Sequence, residues 1–150
     1  MKRLVRFALV SLVVIVTLVF YLWIGRARDI SNVVEQRLKV DSRLYIEDLA
    51  KELGEVDWAT ACVVLPYAST NLGQNAPPVL NSAFWVGNWK ESEWRIALVD
   101  ADKISLVATI RFGSVYLVEK DPSGIKCISR TRRPLLKPLG LQSGYEFTVG

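Results

Sequence analysis

WRIALVDADKISLVATIRFGSVYLVE, residues 94–119, is the stretch that decides the fold. It is rich in branched aliphatic and aromatic residues, which favour a pleated, half-buried strand. It is interrupted by Asp100-Ala101-Asp102-Lys103 and by Gly113, which are residue types typical of turns. We therefore predict three consecutive antiparallel strands here. They are Trp94–Val99, Ile104–Phe112 and Ser114–Glu119.

Further strands are predicted on both sides of this stretch. After the turn residues Asp121-Pro122-Ser123-Gly124 we expect a strand over Ile125–Thr131, and a last one over Tyr145–Val149. Upstream, Ala59–Tyr67 and the short segment Ala83–Val86 are also predicted as strands. Residues 68–83 form a predicted loop, and loops of this length are often functional or disordered.

Two helices are predicted before the strands. Apolar residues recur at helical spacing over Ser31–Lys39 and again over Arg43–Leu53. Asp41-Ser42 offers a side-chain cap for the second helix, and Gly54 can end it in a left-handed conformation. The predicted fold class is α+β: an N-terminal transmembrane helix, then two short helices and an antiparallel sheet of about five to six strands.

The segment FALVSLVVIVTLVFYLWI, Phe7–Ile24, contains no charged residue. A helix of this length spans roughly 27 Å, close to the hydrocarbon thickness of a bilayer. Its length and its bulky aromatic end favour an uncleaved signal anchor over a cleaved signal peptide, although Gly25-Arg26-Ala27 resembles a cleavage site. We predict a membrane anchor over residues 1–27 and an exported α+β domain over residues 28–150.

The orientation of the anchor follows from the charges that flank it. Lys2, Arg3 and Arg6 precede the apolar segment and favour a cytoplasmic N-terminus, while Arg26 and Arg28 weaken that preference. We predict a single-pass protein of a bacterial inner membrane, with the C-terminal domain in the periplasm.

The composition excludes several kinds of chemistry. The chain has no histidine and two cysteines, so catalytic systems built on histidine and zinc sites built on histidine or four cysteines are impossible within it. No motif calls for a cofactor, and we expect none. In an exported domain Cys62 and Cys127 favour a disulfide, the alternative being two buried free thiols.

The exported part is nearly neutral. Three of the 19 Lys and Arg residues precede the apolar segment, which leaves sixteen basic residues against 15 acidic ones. This balance does not indicate nucleic-acid binding.

Two groups of residues are candidates for binding a partner. Trp85 and Trp89 lie in an aromatic-rich segment, and Trp is over-represented at binding hot spots. Arg130, Arg132 and Arg133 form the densest basic segment and could bind phosphate groups or an acidic protein face. The alternatives are that the tryptophans fill the core and that the arginines are a solvated strand edge.

The sequence therefore favours a membrane-tethered periplasmic interaction module, such as an inhibitor, an immunity-type protein or an accessory subunit of an envelope complex. Its expected partners are membrane lipid, through residues 7–24, and a protein or anionic envelope component. The alternative is a small envelope hydrolase that uses paired carboxylates, with Glu91, Glu93 or Asp57 as candidates.

Overall fold

A computed structural model describes residues 28–68, 76–81, 91–118, 123–140 and 144–150. The predicted anchor over residues 1–27, the predicted strand Ala83–Val86, and both Trp85 and Trp89 lie outside these ranges. Within the described ranges, every helix is too short or too polar to cross a bilayer.

The larger sheet has five strands: β1 (Arg28–Asp29), β3 (Thr60–Val64), β4 (Glu93–Asp100), β5 (Lys103–Arg111) and β6 (Ile125–Ser129). Their spatial order is β1-β5-β4-β3-β6. β3 lies between β4 and β6, and both of these strands run antiparallel to it.

A disulfide joins Cys62 on β3 to Cys127 on β6, which confirms the predicted pair. The two residues are directly opposite each other in the β3–β6 register. The neighbouring bonds from the Leu65 N–H to the Gly124 oxygen and from the Arg130 N–H to the Ala59 oxygen place them at a non-hydrogen-bonded pair, where side chains come closest. The disulfide therefore joins strands that are neighbours in space although their cysteines are 65 residues apart in sequence.

The smaller sheet has three strands in the order β2-β7-β8, and all of its pairings are antiparallel. Its strands are β2 (Leu44–Tyr45), β7 (Pro134–Pro138) and β8 (Tyr145–Val149). The α+β class and the presence of two helices are confirmed. The prediction of one antiparallel sheet was wrong in two respects, because the strands form two sheets and because β1 pairs parallel to β5.

The first helix, α1 (Ser31–Val40), forms where its apolar spacing predicts. Asp29 lies just before it and accepts hydrogen bonds from the Ser31 hydroxyl at 2.6 Å and the Ser31 N–H at 2.9 Å. These two bonds hold the pKa of the Asp29 carboxyl below its ordinary value. The start of α1 is thereby tied to β1 and to the edge of the larger sheet.

The second helix, α2 (Ile46–Leu53), begins later than predicted. Leu44 and Tyr45 pair with Leu136 and Leu135 and form β2. Strand pairing therefore replaces the first turn of the predicted helix. The residue before the helix is Tyr45 and no side chain caps it, so the cap predicted from Asp41-Ser42 was wrong. Gly54 ends the helix with φ 82°, as predicted.

The predicted strand Ser114–Glu119 was wrong over its described residues, 114–118. The position beside β5 that such a hairpin strand needs is held by β1, which pairs with Ala108 and Thr109. The segment instead turns across the sheet, where the Val115 carbonyl accepts a hydrogen bond from Trp94 Nε1 at 2.9 Å. Its one bridge is parallel, between Leu117 and Tyr145 of β8.

Both faces of the larger sheet are apolar. One face packs against α1, α2 and the smaller sheet; the core on this side includes the fully buried Trp94 and Ile110 of the larger sheet and Phe147 of the smaller one. The other face carries the disulfide, and Leu80 of a 3₁₀ turn at Pro78–Asn81 packs on it. The core therefore continues on both sides of the sheet.

Candidate partner-binding surface

The basic segment lies in the connection between the two sheets. Arg130–Arg132 form a 3₁₀ turn directly after β6, and Arg133 has a left-handed backbone with φ 51°. The Arg133 N–H donates to the Arg130 oxygen at 3.0 Å and closes the turn. This turn redirects the chain from the larger sheet into β7 of the smaller one, so its position is fixed at both ends.

Arg130 makes hydrogen bonds and a ring contact with its own chain. Its Nε and Nη2 donate to the two Glu47 oxygens at 2.8 and 2.7 Å, which is a bidentate ion pair to α2. Its Nη1 donates to the carbonyl oxygens of Val56 at 2.9 Å and Trp58 at 3.3 Å. The guanidinium carbon also lies 4.9 Å from the centroid of the Trp58 ring. Arg130 therefore holds α2 and the start of β3 against the end of β6.

The ion pair is charged over the whole neutral range. The hydrogen bonds from Arg130 hold the pKa of the Glu47 carboxyl below its ordinary value, and partial burial opposes them. The same hydrogen bonds raise the pKa of the Arg130 guanidinium.

Arg132 and Arg133 differ from Arg130 because both are exposed. The Arg133 guanidinium lies 4.9 Å from the centroid of the Tyr45 ring, a cation–π contact that leaves its donors in solvent. Arg132 has no ion-pair, hydrogen-bond or ring partner for its side chain among the residues that the structure describes. The structure thus separates one partly buried arginine, held by its own chain, from two that face solvent.

Arg130–Arg132 lie at one defined end of the larger sheet. Thr60 of β3 pairs with both Ser129 of β6 and Val99 of β4, and Asp100 pairs with Lys103 across the β4–β5 turn. Asp57 lies at this end too, because its carbonyl oxygen accepts a hydrogen bond from Ser105 at 2.8 Å. We call this surface the β4–β5 turn end. It comprises Val56, Asp57, Asp100–Lys103 and Arg130–Arg132.

A cleft of about 480 Å³ lies between the end of α1, β2 and α2, and sequence reasoning missed it. Its charges are of both signs, and the Arg37–Glu52 ion pair at 2.9 Å closes one side. It is lined by Arg37, Asp41, Arg43, Leu44, Tyr45, Asp48, Lys51 and Glu52. No local sequence pattern predicts this cleft, because its shape depends on how α1 and α2 pack together.

The carboxylates proposed for a hydrolase do not all come together. Asp57 contacts Ser105 near the start of β5, whereas Glu93 pairs with Arg111 at its end. Six residues of strand separate these positions, roughly 20 Å. Glu91 is exposed and precedes Glu93 by two residues. Over the described ranges, no three acidic or cysteine side chains are grouped to hold a metal ion.

Comparisons of the chain with protein-family models, with curated proteins and with solved structures found no significant match.

Proposed function

We propose that this chain is a membrane-tethered, exported interaction module that recognises an anionic group on a protein or envelope component. Residues 7–24 would anchor it in a bacterial inner membrane, and the domain that starts at Arg28 would work in the periplasm. An inhibitor, an immunity-type protein and an accessory subunit of an envelope complex all fit this description.

Two observations support export and anchoring. The apolar segment Phe7–Ile24 has the length and the basic flank of a signal anchor. The Cys62–Cys127 disulfide is the kind of bond that persists in oxidising compartments such as the periplasm and is rare in the cytosol.

The contrast between Arg130 and Arg132 is the observation that carries the binding proposal. Arg130 fixes the turn through Glu47 and the Val56 and Trp58 carbonyls, so the turn is held rigidly. Arg132 projects from this fixed turn without a partner of its own on the described surface. Because the backbone of the turn is already fixed, little backbone entropy is lost when the Arg132 guanidinium pairs with a carboxylate or phosphate. No contact among the described residues favours the hydrolase alternative in the same way.

The test is affinity purification of the full chain from detergent-solubilised membranes. We compare the native chain with Arg132→Glu and with a control charge reversal, Lys39→Glu, on the exposed face of α1. Lys39 pairs with Glu35 at 2.7 Å on the exposed surface, so losing this i,i+4 pair should change the stability of the domain little.

A stoichiometric partner that is lost from Arg132→Glu and retained by Lys39→Glu would support the proposal. A partner that both variants retain would show that Arg132 does not bind it. A chain that is recovered from its native membranes with neither a protein nor a phospholipid bound would contradict the interaction module itself.

A further inference from the structure

We infer that the β4–β5 turn end rests on the phospholipid headgroups of the membrane that anchors the chain, with Arg132 and Lys103 against lipid phosphates. This inference rests on the proposed function, since it needs the anchor, and it names the anionic group as the phosphate of a membrane phospholipid. Three features of the domain support it: the direction of β1, the length of chain before β1, and the groups exposed at this end.

The direction of β1 shows from which side the anchor arrives. β1 runs parallel to β5, with Arg28 opposite Ala108 and Asp29 opposite Thr109. The chain before Arg28 therefore approaches from the side of Lys103, where β5 begins. The other side is occupied by the chain's own continuation, because the Arg111 N–H donates to the Ser31 hydroxyl at 2.9 Å.

The length of chain before β1 leaves little freedom. Three residues, 25–27, separate Ile24 from Arg28, and four fully extended Cα steps reach at most about 14 Å. Arg28 lies opposite Ala108, which is five residues along β5 from Lys103, or roughly 16 Å. A membrane span that ends at Ile24 therefore brings the bilayer surface level with the β4–β5 turn end.

The groups exposed at this end suit a zwitterionic headgroup layer. Val56 is 64% exposed and offers an aliphatic contact at the boundary of the acyl chains. Arg132 and Lys103 supply cations for phosphate groups, and the three aspartates of this end, Asp57, Asp100 and Asp102, supply anions for headgroup ammonium groups. Lys103 Nζ and Asp100 Oδ2 lie 3.9 Å apart, and both side chains are well exposed. Each can therefore replace this weak ion pair by a contact with a lipid headgroup.

The opposite end of the sheet then faces the aqueous compartment. Glu93 pairs with Arg111 there, and the nearby ring of Tyr116 is 56% exposed. A soluble protein partner would find this end and the helical side of the domain accessible.

Lipid-to-protein quenching tests the orientation directly. The full chain is reconstituted in phosphatidylethanolamine–phosphatidylcholine vesicles that contain headgroup spin-labelled lipid. A fluorescent non-canonical residue replaces Asp102 at the β4–β5 turn end or, as the matched control, Gly113 at the other end. Both sites are exposed, and a Cβ at Gly113 meets no atom within 4 Å.

The inference predicts strong quenching at position 102 and weak quenching at position 113. Equal quenching, or stronger quenching at position 113, would overturn it. Flotation of the vesicles separates this failure from failure of the anchor. A chain that does not float with the vesicles contradicts the proposed tether, whereas a chain that floats with the wrong pattern contradicts the orientation alone.

A lengthened tether isolates the contribution of Arg132. With about ten Gly and Ser residues inserted after Gly25, the linker no longer forces contact. Arg132→Glu in this background should then lower quenching at position 102 roughly twofold or more, because it replaces phosphate attraction with repulsion. Unchanged quenching would show that Arg132 makes no lipid contact.

Discussion

Removing the Arg130 side chain should destabilise the domain far more than removing the adjacent Arg132 side chain. Arg130→Ala deletes a bidentate pair with Glu47 at 2.7 and 2.8 Å, two bonds to backbone carbonyls and a cation–π contact with Trp58. The side chains of Arg130 and Glu47 are 37% and 35% exposed, so the ion pair contributes at the upper end of the surface range, about 1 kcal/mol.

The remaining contacts of Arg130 add to this value. The cation–π contact adds roughly 0.5–1 kcal/mol, and the loss of a donor to the Trp58 and Val56 carbonyls adds a similar amount. We therefore expect Arg130→Ala to lower the free energy of unfolding by about 2 kcal/mol. For a domain of this size that corresponds to a fall in Tm of about 8 °C.

The assay is thermal and urea unfolding of the full chain in detergent micelles, followed by near-ultraviolet circular dichroism. Arg132→Ala is the control, because it removes the same side chain two residues away, where the change should stay within about 0.5 kcal/mol. If both variants lower the free energy of unfolding equally, this account of the turn is refuted. It is also refuted if Arg130→Ala lowers it by less than about 0.5 kcal/mol, which is the range of an ordinary surface substitution.

Three further outcomes can be measured in the same unfolding experiments. The Glu47 pKa is lowered in the folded state, so the Glu47–Arg130 ion pair contributes its full stability above the ordinary value of 4.5 and loses it as pH falls through the lower pKa of the folded state. Glu47→Gln should therefore make the free energy of unfolding, measured by urea titration, depend less on pH in the acid range. An unchanged pH dependence would contradict this. Replacing Cys62 and Cys127 together by Ala should cost about 4 kcal/mol, since the disulfide closes a loop across a sequence separation of 65, and stability equal to the native chain would refute this estimate. Gly54→Ala should cost about 1 kcal/mol because its φ is 82°, whereas Gly113→Ala should be neutral in the same melts, and the reverse order would contradict the helix end described above.

The sequence predicts those strands that consist of branched and aromatic residues and are bounded by turn residues. β4, β5 and β8 form within a residue of their predicted bounds, because long branched runs with turn residues between them favour strands. β1 and β2 are two residues long and carry no pattern of their own. They form because Ala108 and Leu136 offer backbone partners from other strands. This is a tertiary effect, and a short stretch of sequence carries no information about it.

β7 escaped prediction because prolines begin and end it. The Leu139 N–H donates to Gly144 and the Gly150 N–H to Arg133, so the odd-numbered residues of β7 bond to β8. Pro134 and Pro138 face the other side, where β2 pairs only with Leu135 and Leu136. Their missing N–H groups therefore break no ladder bond, and prolines that argue against a central strand are tolerated here.

The candidate surface was predictable as a segment but not residue by residue. Arg130 and Arg132 are indistinguishable in the sequence, since both are arginines in one basic run. Their roles diverge because Glu47, 83 residues earlier in the chain, binds Arg130 and does not contact Arg132. Tyr45 likewise becomes a platform for Arg133 only through the pairing of β2 with β7.

The central claim is that an uncleaved anchor holds an oxidised domain on the outer side of the membrane, and protease accessibility of bacterial spheroplasts tests it most directly. We predict an uncleaved chain in the membrane fraction, whose domain is digested by protease added outside and whose cysteines react with thiol reagents only after reduction. A freely soluble product that starts near Arg28, or a domain that is protected until the membrane is lysed and has both thiols free, would contradict it.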